Sequence, residues 1–393
     1  MLVEGKGAAA RWRILALLSL AVLLGMSVWF AANAVSAQIA ARFELDSSQV
    51  GWLTTIVQLG FVIGTAAIAM LNLADIIPSR LLFAFSAFMG AAANLTLLIA
   101  PTFATILLAR FATGIFLAGV YPPAMKMIST WFVSQRGLAI GAIVGALTIG
   151  KATPFLIHSI PQVDVNAVIA IASAFAVSGA LLVLAGYSDG PHAFVPRPFS
   201  WQLAGTVFGS RKWRLATASY LGHMFELYAF WTWIGAFLAA SMVATTARIS
   251  LLTFVIIATG GIGCVWGGVY ADRNGRERLV RIALLVSGAC CVASVFLFGQ
   301  RMILVIPFAL IWGFFVIADS AQFSALVTES VESHAVGTAL TLQTSLGFLL
   351  TMLPMQLVPR FASAFGWRFA LIFLALGPAA GIIAIGRLAR RSG

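Results

Sequence analysis

Twelve stretches of about twenty mostly apolar residues, joined by short polar connections, make up nearly the whole of this 393-residue chain. They fall near 14–38, 49–72, 81–100, 103–125, 137–158, 164–187, 214–241, 248–270, 279–299, 302–327, 337–358 and 366–386. Each is long enough to cross the hydrocarbon layer of a bilayer as a helix. A water-soluble domain has no way to bury so many such runs against one another, because its own surface must stay wetted. Only 9% of the residues are charged, against about 25% in a soluble domain. Soluble globular, disordered and disulfide-stapled classes are thereby excluded. The first run is longer than the roughly 7–15 residues of a signal-peptide core, so it is read as a span that stays attached, although Ala32-Asn33-Ala34 mimics a cleavage site. Residues 188–212, with Pro191, Pro196 and Pro198, form the longest connection. The chain therefore divides into an N-terminal six-helix bundle (1–187), a cytoplasmic linker (188–212) and a C-terminal six-helix bundle (213–393).

The formal net charge of +12 reads as topology. Nucleic acid is excluded as a partner, since the basic residues form short clusters between apolar runs and no basic face. With the N-terminus cytoplasmic, Lys6, Arg11, Arg13, Arg80, Lys126, Arg136, Arg197, Arg211, Lys212, Arg214, Arg273, Arg276, Arg278, Arg281, Arg387, Arg390 and Arg391 fall inside. Only Arg42, Arg248, Arg301, Arg360 and Arg368 fall outside. The excess of Lys and Arg on cytoplasmic loops places both termini in the cytoplasm. Cys264, Cys290 and Cys291 sit within apolar runs and have neither metal-ligand nor redox spacing.

The chain repeats itself. Asp75 follows span 2 and Asp272 follows span 8, 197 positions later, while Gly114 in span 4 and Gly313 in span 10 are 199 apart. Gly268-x-x-x-Asp272-Arg273-x-Gly275-Arg276 resembles the loop signature of the major facilitator superfamily, in its second-half position. Ile106-x-x-x-Arg110-x-x-x-Gly114 is similar to that superfamily's second motif, and Gly366-Trp367-Arg368-Phe369 to its usual lead-in to span 12. The resemblance covers essentially the whole chain. It implies an all-α membrane protein of twelve transmembrane helices in two six-helix pseudo-repeat bundles, with spans 1, 4, 7 and 10 lining a central cavity. It also implies a conformational latch at Asp75, Arg80, Gly268, Asp272, Arg273, Gly275 and Arg276. The first-half loop departs from the pattern: Leu71 stands at the leading glycine and Pro78 at the second. In span 5, Gly141 and Gly150 fit the antiporter pattern but Pro154 does not. Thr130-Trp131-Phe132 before Arg136-Gly137 is similar to the span 4–5 loop of small-anion carriers, without the glycine-rich nitrate signature.

Ionisable side chains at membrane depth are costly, and each is a functional candidate. They are Arg110, Lys151, His223, Glu226 and Asp319, on spans 4, 5, 7 and 10. From the helical rise, Arg110 lies roughly 10 Å from the outer end and Lys151 roughly 21 Å from the cytoplasmic end, at comparable height in the outer half. Two cations there suit an anionic group; Arg110 has the alternative of pairing with helix-end carbonyls. His223 and Glu226, three residues apart, share a face of span 7. Low dielectric penalises a charged carboxyl, making Glu226 a candidate proton carrier, with a fixed pair to His223 or Lys151 as the alternative. Asp319 is a second proton site or an inner-gate residue. Asn33, Gln58, Tyr121, Tyr228, Gln322 and Gln343 are neutral candidates for substrate contact, or for hydrogen bonds between helices.

The expected function is secondary active transport by alternating access, as proton-coupled uptake (symport) of a small organic anion. Proton-driven efflux of a lipophilic or sugar-like compound and a non-transporting sensor are the alternatives. No catalytic motif is present, so no enzyme is expected, and no cofactor or metal. The expected setting is a bacterial inner membrane, with a monomer acting on a small molecule and protons within the lipid bilayer.

Overall fold

The apolar runs become helices whose ends are set by short polar residues. At one end of the molecule Asp46, Thr102, Asp164 and Thr245 cap spans 2, 4, 6 and 8, each accepting a backbone N–H three residues on. The structure is a computed structural model that describes residues 2–192 and 199–390, the side chains of residues 2–8 apart. Pro196, Arg197, Pro198, Arg391 and the side chain of Lys6 lie outside what is described. Among the described residues, eleven helices are long and apolar enough to cross a membrane: Ala9–Met26 (span 1), Ser47–Met70 (2), Ser79–Ile99 (3), Phe103–Ser129 (4), Arg136–His158 (5), Val165–Gly186 (6), Thr246–Asn274 (8), Arg276–Leu297 (9), Met302–Thr328 (10), Ser333–Phe365 (11) and Trp367–Ala389 (12). Span 7, Arg211–Ser241, is 31 residues long. Its Tyr, Trp, His and Glu residues make it the least apolar of the twelve. A short helix, Trp201–Gly209, precedes it in the linker. Single glycines at positive φ, Gly275 (91°) and Gly366 (81°), turn the chain between spans 8 and 9 and between spans 11 and 12.

The repeat is a packing repeat. A Cβ added at Gly114 would run into the Val57 carbonyl oxygen, and one at Gly313 into that of Ile256. Val57 and Ile256 are themselves 199 apart, so spans 2 and 4 meet in the N-half as spans 8 and 10 do in the C-half. Either Gly114→Ala or Gly313→Ala is expected to cost about 1–3 kcal/mol through overpacking. A lowered unfolding midpoint for both variants, at matched positions of the repeat, checks this.

Spans 4 and 10 break at corresponding places, residues 118–120 and 316–319. Span 1 breaks at 27–30 and continues as Ala31–Ala34 and Ser36–Phe43. Span 7, its counterpart, runs unbroken. The halves are thus alike in packing and unlike at mid-membrane.

Two seams join the halves. Spans 5 and 8 touch along their whole length, with Gly141 and Gly145 against the carbonyls of Cys264 and Gly261. Gly268 meets the Gly137 carbonyl at one end, and His158 Nδ1 lies 2.9 Å from Ser250 Oγ at the other. Spans 2 and 11 touch only from mid-membrane toward the capped end, where Gln58 Nε2 donates to Thr351 Oγ1 (3.1 Å) and Gln356 Nε2 to Thr55 Oγ1 (2.9 Å). At the opposite end, which carries Arg11, Lys126, Arg136 and Arg273, spans 2 and 11 part around a cavity of about 550 Å³.

Candidate functional site

Lys151 is buried at 1% exposure on span 5, and its ammonium points across the interface between the halves. Nζ donates to the Tyr228 hydroxyl of span 7. It also lies 3.7 Å from the centre of the Trp29 ring, 4.6 Å from that of Tyr228 and 5.3 Å from that of Trp231. Among the described residues no carboxylate pairs with it. Ring faces attract a cation more strongly the less water competes, by about 2 kcal/mol when desolvated. They do not neutralise it. Trp29 and Tyr228 are 199 apart, the packing offset of the repeat, so each half contributes one wall of the cage from the same position.

Arg110, at the same height, has a different environment. Its Nε donates to the Leu53 carbonyl (3.3 Å), Nη1 to that of Val28 (2.9 Å) and Nη2 to that of Trp29. The break in span 1 takes the Val28 and Trp29 carbonyls out of the regular helical ladder, Val28 keeping only a long contact from the Ala31 N–H (3.5 Å), and the guanidinium donates to both. The structure thus realises the helix-end pairing for Arg110, and it sets Lys151 against a hydroxyl and three rings at the interface. At the Arg110 position of the second half stands Ala309, on the offset of 199, opposite an unbroken span 7.

Glu226 pairs with neither His223 nor Lys151. Its carboxylate accepts from Ser287 Oγ (2.8 Å), Cys291 Sγ (3.3 Å) and Trp312 Nε1 (2.6 Å), all within the C-half. His223 instead faces Asp319, with Nδ1 3.0 Å from Oδ1 and both residues 1% exposed. That contact is close without being an aligned hydrogen bond, since neither Asp319 oxygen has a hydrogen-bond partner among the described residues. Asp319 stands at the break in span 10.

Of the neutral candidates, Asn33 Nδ2 donates to Thr54 Oγ1 within the N-half, and Gln58 bonds Thr351 across the halves. Tyr228 belongs to the lysine cage. Gln322 and Gln343 are buried, the latter with Nε2 unpartnered among the described residues. Tyr121 opens the second piece of span 4, half-buried beside the cavity-lining Pro122. The cavity itself is lined by Thr65, Asn72, Asp75, Lys126, Arg136 and Thr341, among others, and reaches as deep as Ala118 and Thr344. Of the candidate substrate, proton and latch residues named from the sequence, Asp75 alone is in this lining. The others that lie at mid-membrane are sealed beyond it.

The two loop signatures behave differently. Asp272 lies over Gly137 at the start of span 5, reaching from one half to the other. Arg276 pairs with Glu329 within the C-half, and Arg80 and Arg273 are exposed. Asp75 bonds within its own half, its Oδ1 3.0 Å from Lys126 Nζ. The departure at Leu71 has a physical reason. Its counterpart Gly268 must be small to pass the Gly137 backbone, whereas Leu71 borders the parted seam and is 61% exposed.

Sequence reasoning missed the aromatic cage, the three donors on Glu226, and His158, which lies 2.9 Å from both Ser250 Oγ and Gln38 Nε2 at the capped end. The i, i+4 spacing of Ser287 and Cys291 and the repeat offset between Trp29 and Tyr228 are the signals that were available.

A family model described as Major Facilitator Superfamily matches residues 17–354. No curated protein sequence matches the chain. Among solved structures, the chain is similar to a bacterial homologue of the human lysosomal transporter Spinster in an inward-facing, unoccupied conformation. The TM-score is 0.75 at 15% identity, covering 97% of each chain. The inward-facing, occupied conformation of a bacterial Spinster homologue gives 0.73 at 15% identity with the same coverage. At that identity the likeness concerns the fold.

Proposed function

Because the chain belongs to the major facilitator superfamily and is an integral membrane transporter rather than an enzyme, we propose that it takes up a small organic anion together with protons. The setting of this reading is a bacterial inner membrane with both termini cytoplasmic. The cavity at the basic end then makes this an inward-open state. One observation carries the reading: Lys151 is a buried cation on the interface that must part, and its partners there are rings and a hydroxyl rather than a carboxylate. Such a charge is uncompensated until an anion arrives.

Proton coupling is assigned to Glu226. Its three hydrogen-bond donors are neutral, so gaining or losing a proton changes the net charge of the site. Glu226→Gln preserves the side-chain shape and removes the titration. It is expected to abolish accumulation driven by a pH step while sparing exchange of substrate between the two sides. Unaltered pH-driven accumulation would remove Glu226 from the coupling.

The deciding experiment is uptake of labelled small carboxylates into sealed proteoliposomes after acidification outside. Accumulation stimulated by outside acid supports the proposal. Proton-driven extrusion would establish export, and ligand binding without movement a sensor.

A further inference from the structure

Lys151 lies within a continuous layer of aromatic rings that crosses from one half to the other. Trp29 and Phe61 come from spans 1 and 2, and Tyr228, Trp231 and Phe348 from spans 7 and 11. Ring centres are 5.2 Å apart for Trp29 and Phe61, 4.6 Å for Phe61 and Phe348, and 5.4 Å for Phe348 and Tyr228. Tyr228 and Trp231 are 5.2 Å apart, and Trp29 and Tyr228 5.9 Å. In the present state the rings of one half cover those of the other and the Tyr228 hydroxyl covers the ammonium. Alternating access requires this layer to part, because it lies on the sealed side of the cavity. Parting strips Phe61 of Phe348, Trp29 of Tyr228, and Lys151 of its hydroxyl and two of its three rings.

A ligand that restores what is lost must supply flat apolar faces and one negative charge. A short aliphatic carboxylate answers the ammonium and leaves the rings wet. A neutral lipophile covers the rings and leaves a buried charge unpaired, which is costly. A second carboxylate would find no second cation, since the guanidinium of Arg110 is committed to backbone carbonyls. Resting on the anion reading given above, we infer that the substrate is an aromatic monocarboxylate, its carboxylate on Lys151 and its ring stacked between Trp29 or Phe61 of one half and Tyr228 or Phe348 of the other.

The test is calorimetric titration of the purified full-length protein with benzoate, cyclohexanecarboxylate, propionate and benzyl alcohol. Ring stacking beyond simple burial predicts benzoate binding roughly three- to tenfold more tightly than cyclohexanecarboxylate. The added apolar area predicts a margin of about tenfold or more over propionate. Benzyl alcohol is expected to bind more weakly than benzoate by a similar factor. Phe348→Leu should bring the benzoate to cyclohexanecarboxylate ratio toward one with propionate unchanged; should that variant fail to fold, the ligand series on the unaltered protein decides alone. No measurable benzoate binding, or propionate bound as tightly as benzoate, overturns the aromatic assignment. In either case propionate binding leaves the anion reading standing. Benzyl alcohol matching benzoate while propionate fails to bind removes that reading as well.

Discussion

Lys151→Met is expected to cut anion uptake roughly ten- to a hundredfold, the worth of one hydrogen-bonded charge in a buried site, while leaving the protein as stable as before or more so. The two effects have one cause. A lone buried ammonium carries a desolvation cost of several kcal/mol, and its rings and hydroxyl return only part of it. Methionine has similar length, no charge, and a thioether that packs well on aromatic edges. The Tyr228 hydroxyl loses its partner, at about 1–3 kcal/mol, which sets the opposing side of the balance. Uptake assays on reconstituted protein, beside an unfolding midpoint in detergent, read the pair together. Parental uptake in the variant would take Lys151 out of the substrate path; a collapse of stability would make it a structural residue.

Arg110→Met is expected to do the reverse. Three donors leave at once, and the carbonyls of Leu53, Val28 and Trp29 remain buried without them. A buried carbonyl left without its donor costs about 1–3 kcal/mol, and several lost together are a large share of the roughly 5–15 kcal/mol that keeps a typical protein folded. The yield of folded protein and its unfolding midpoint should both fall. Arg110→Lys should recover only part of the loss, because an ammonium does not reproduce the planar fork that reaches three carbonyls. A folded Arg110→Met protein that had lost only anion binding would return the guanidinium to the substrate site.

These two cations show where sequence reasoning stops. Both are basic, both lie in the N-half, and helical rise puts them at one height. What separates them is the break in span 1, which turns two backbone carbonyls toward Arg110. None of the residues at the break, 27–30, is a proline or glycine to announce it. The spans themselves were legible because an apolar run of that length has few other uses, and the repeat because packing glycines recur at a fixed offset. For Glu226 and His223 the shared helical face was correct: both look toward span 10. They meet it at different heights, Trp312 and Asp319, and so serve separate sites. The aromatic cage was hidden by abundance. In a chain with thirty Phe and eleven Trp, three rings around one lysine have no signature of their own.

The two seams between the halves, related by the repeat, differ in mechanical duty. Spans 5 and 8, pressed together backbone to backbone at Gly137, Gly141, Gly145 and Gly268, act as a hinge pin. Spans 2 and 11 act as the free edge of a door. A hinge pin tolerates no bulk, and its loop has kept its glycines. The free edge has to let go, and there leucine and proline have taken their place. Each half lends one span to each seam, so what has diverged is the pair of seams and not the pair of halves: one is closed backbone to backbone, and the other stands open at the cavity.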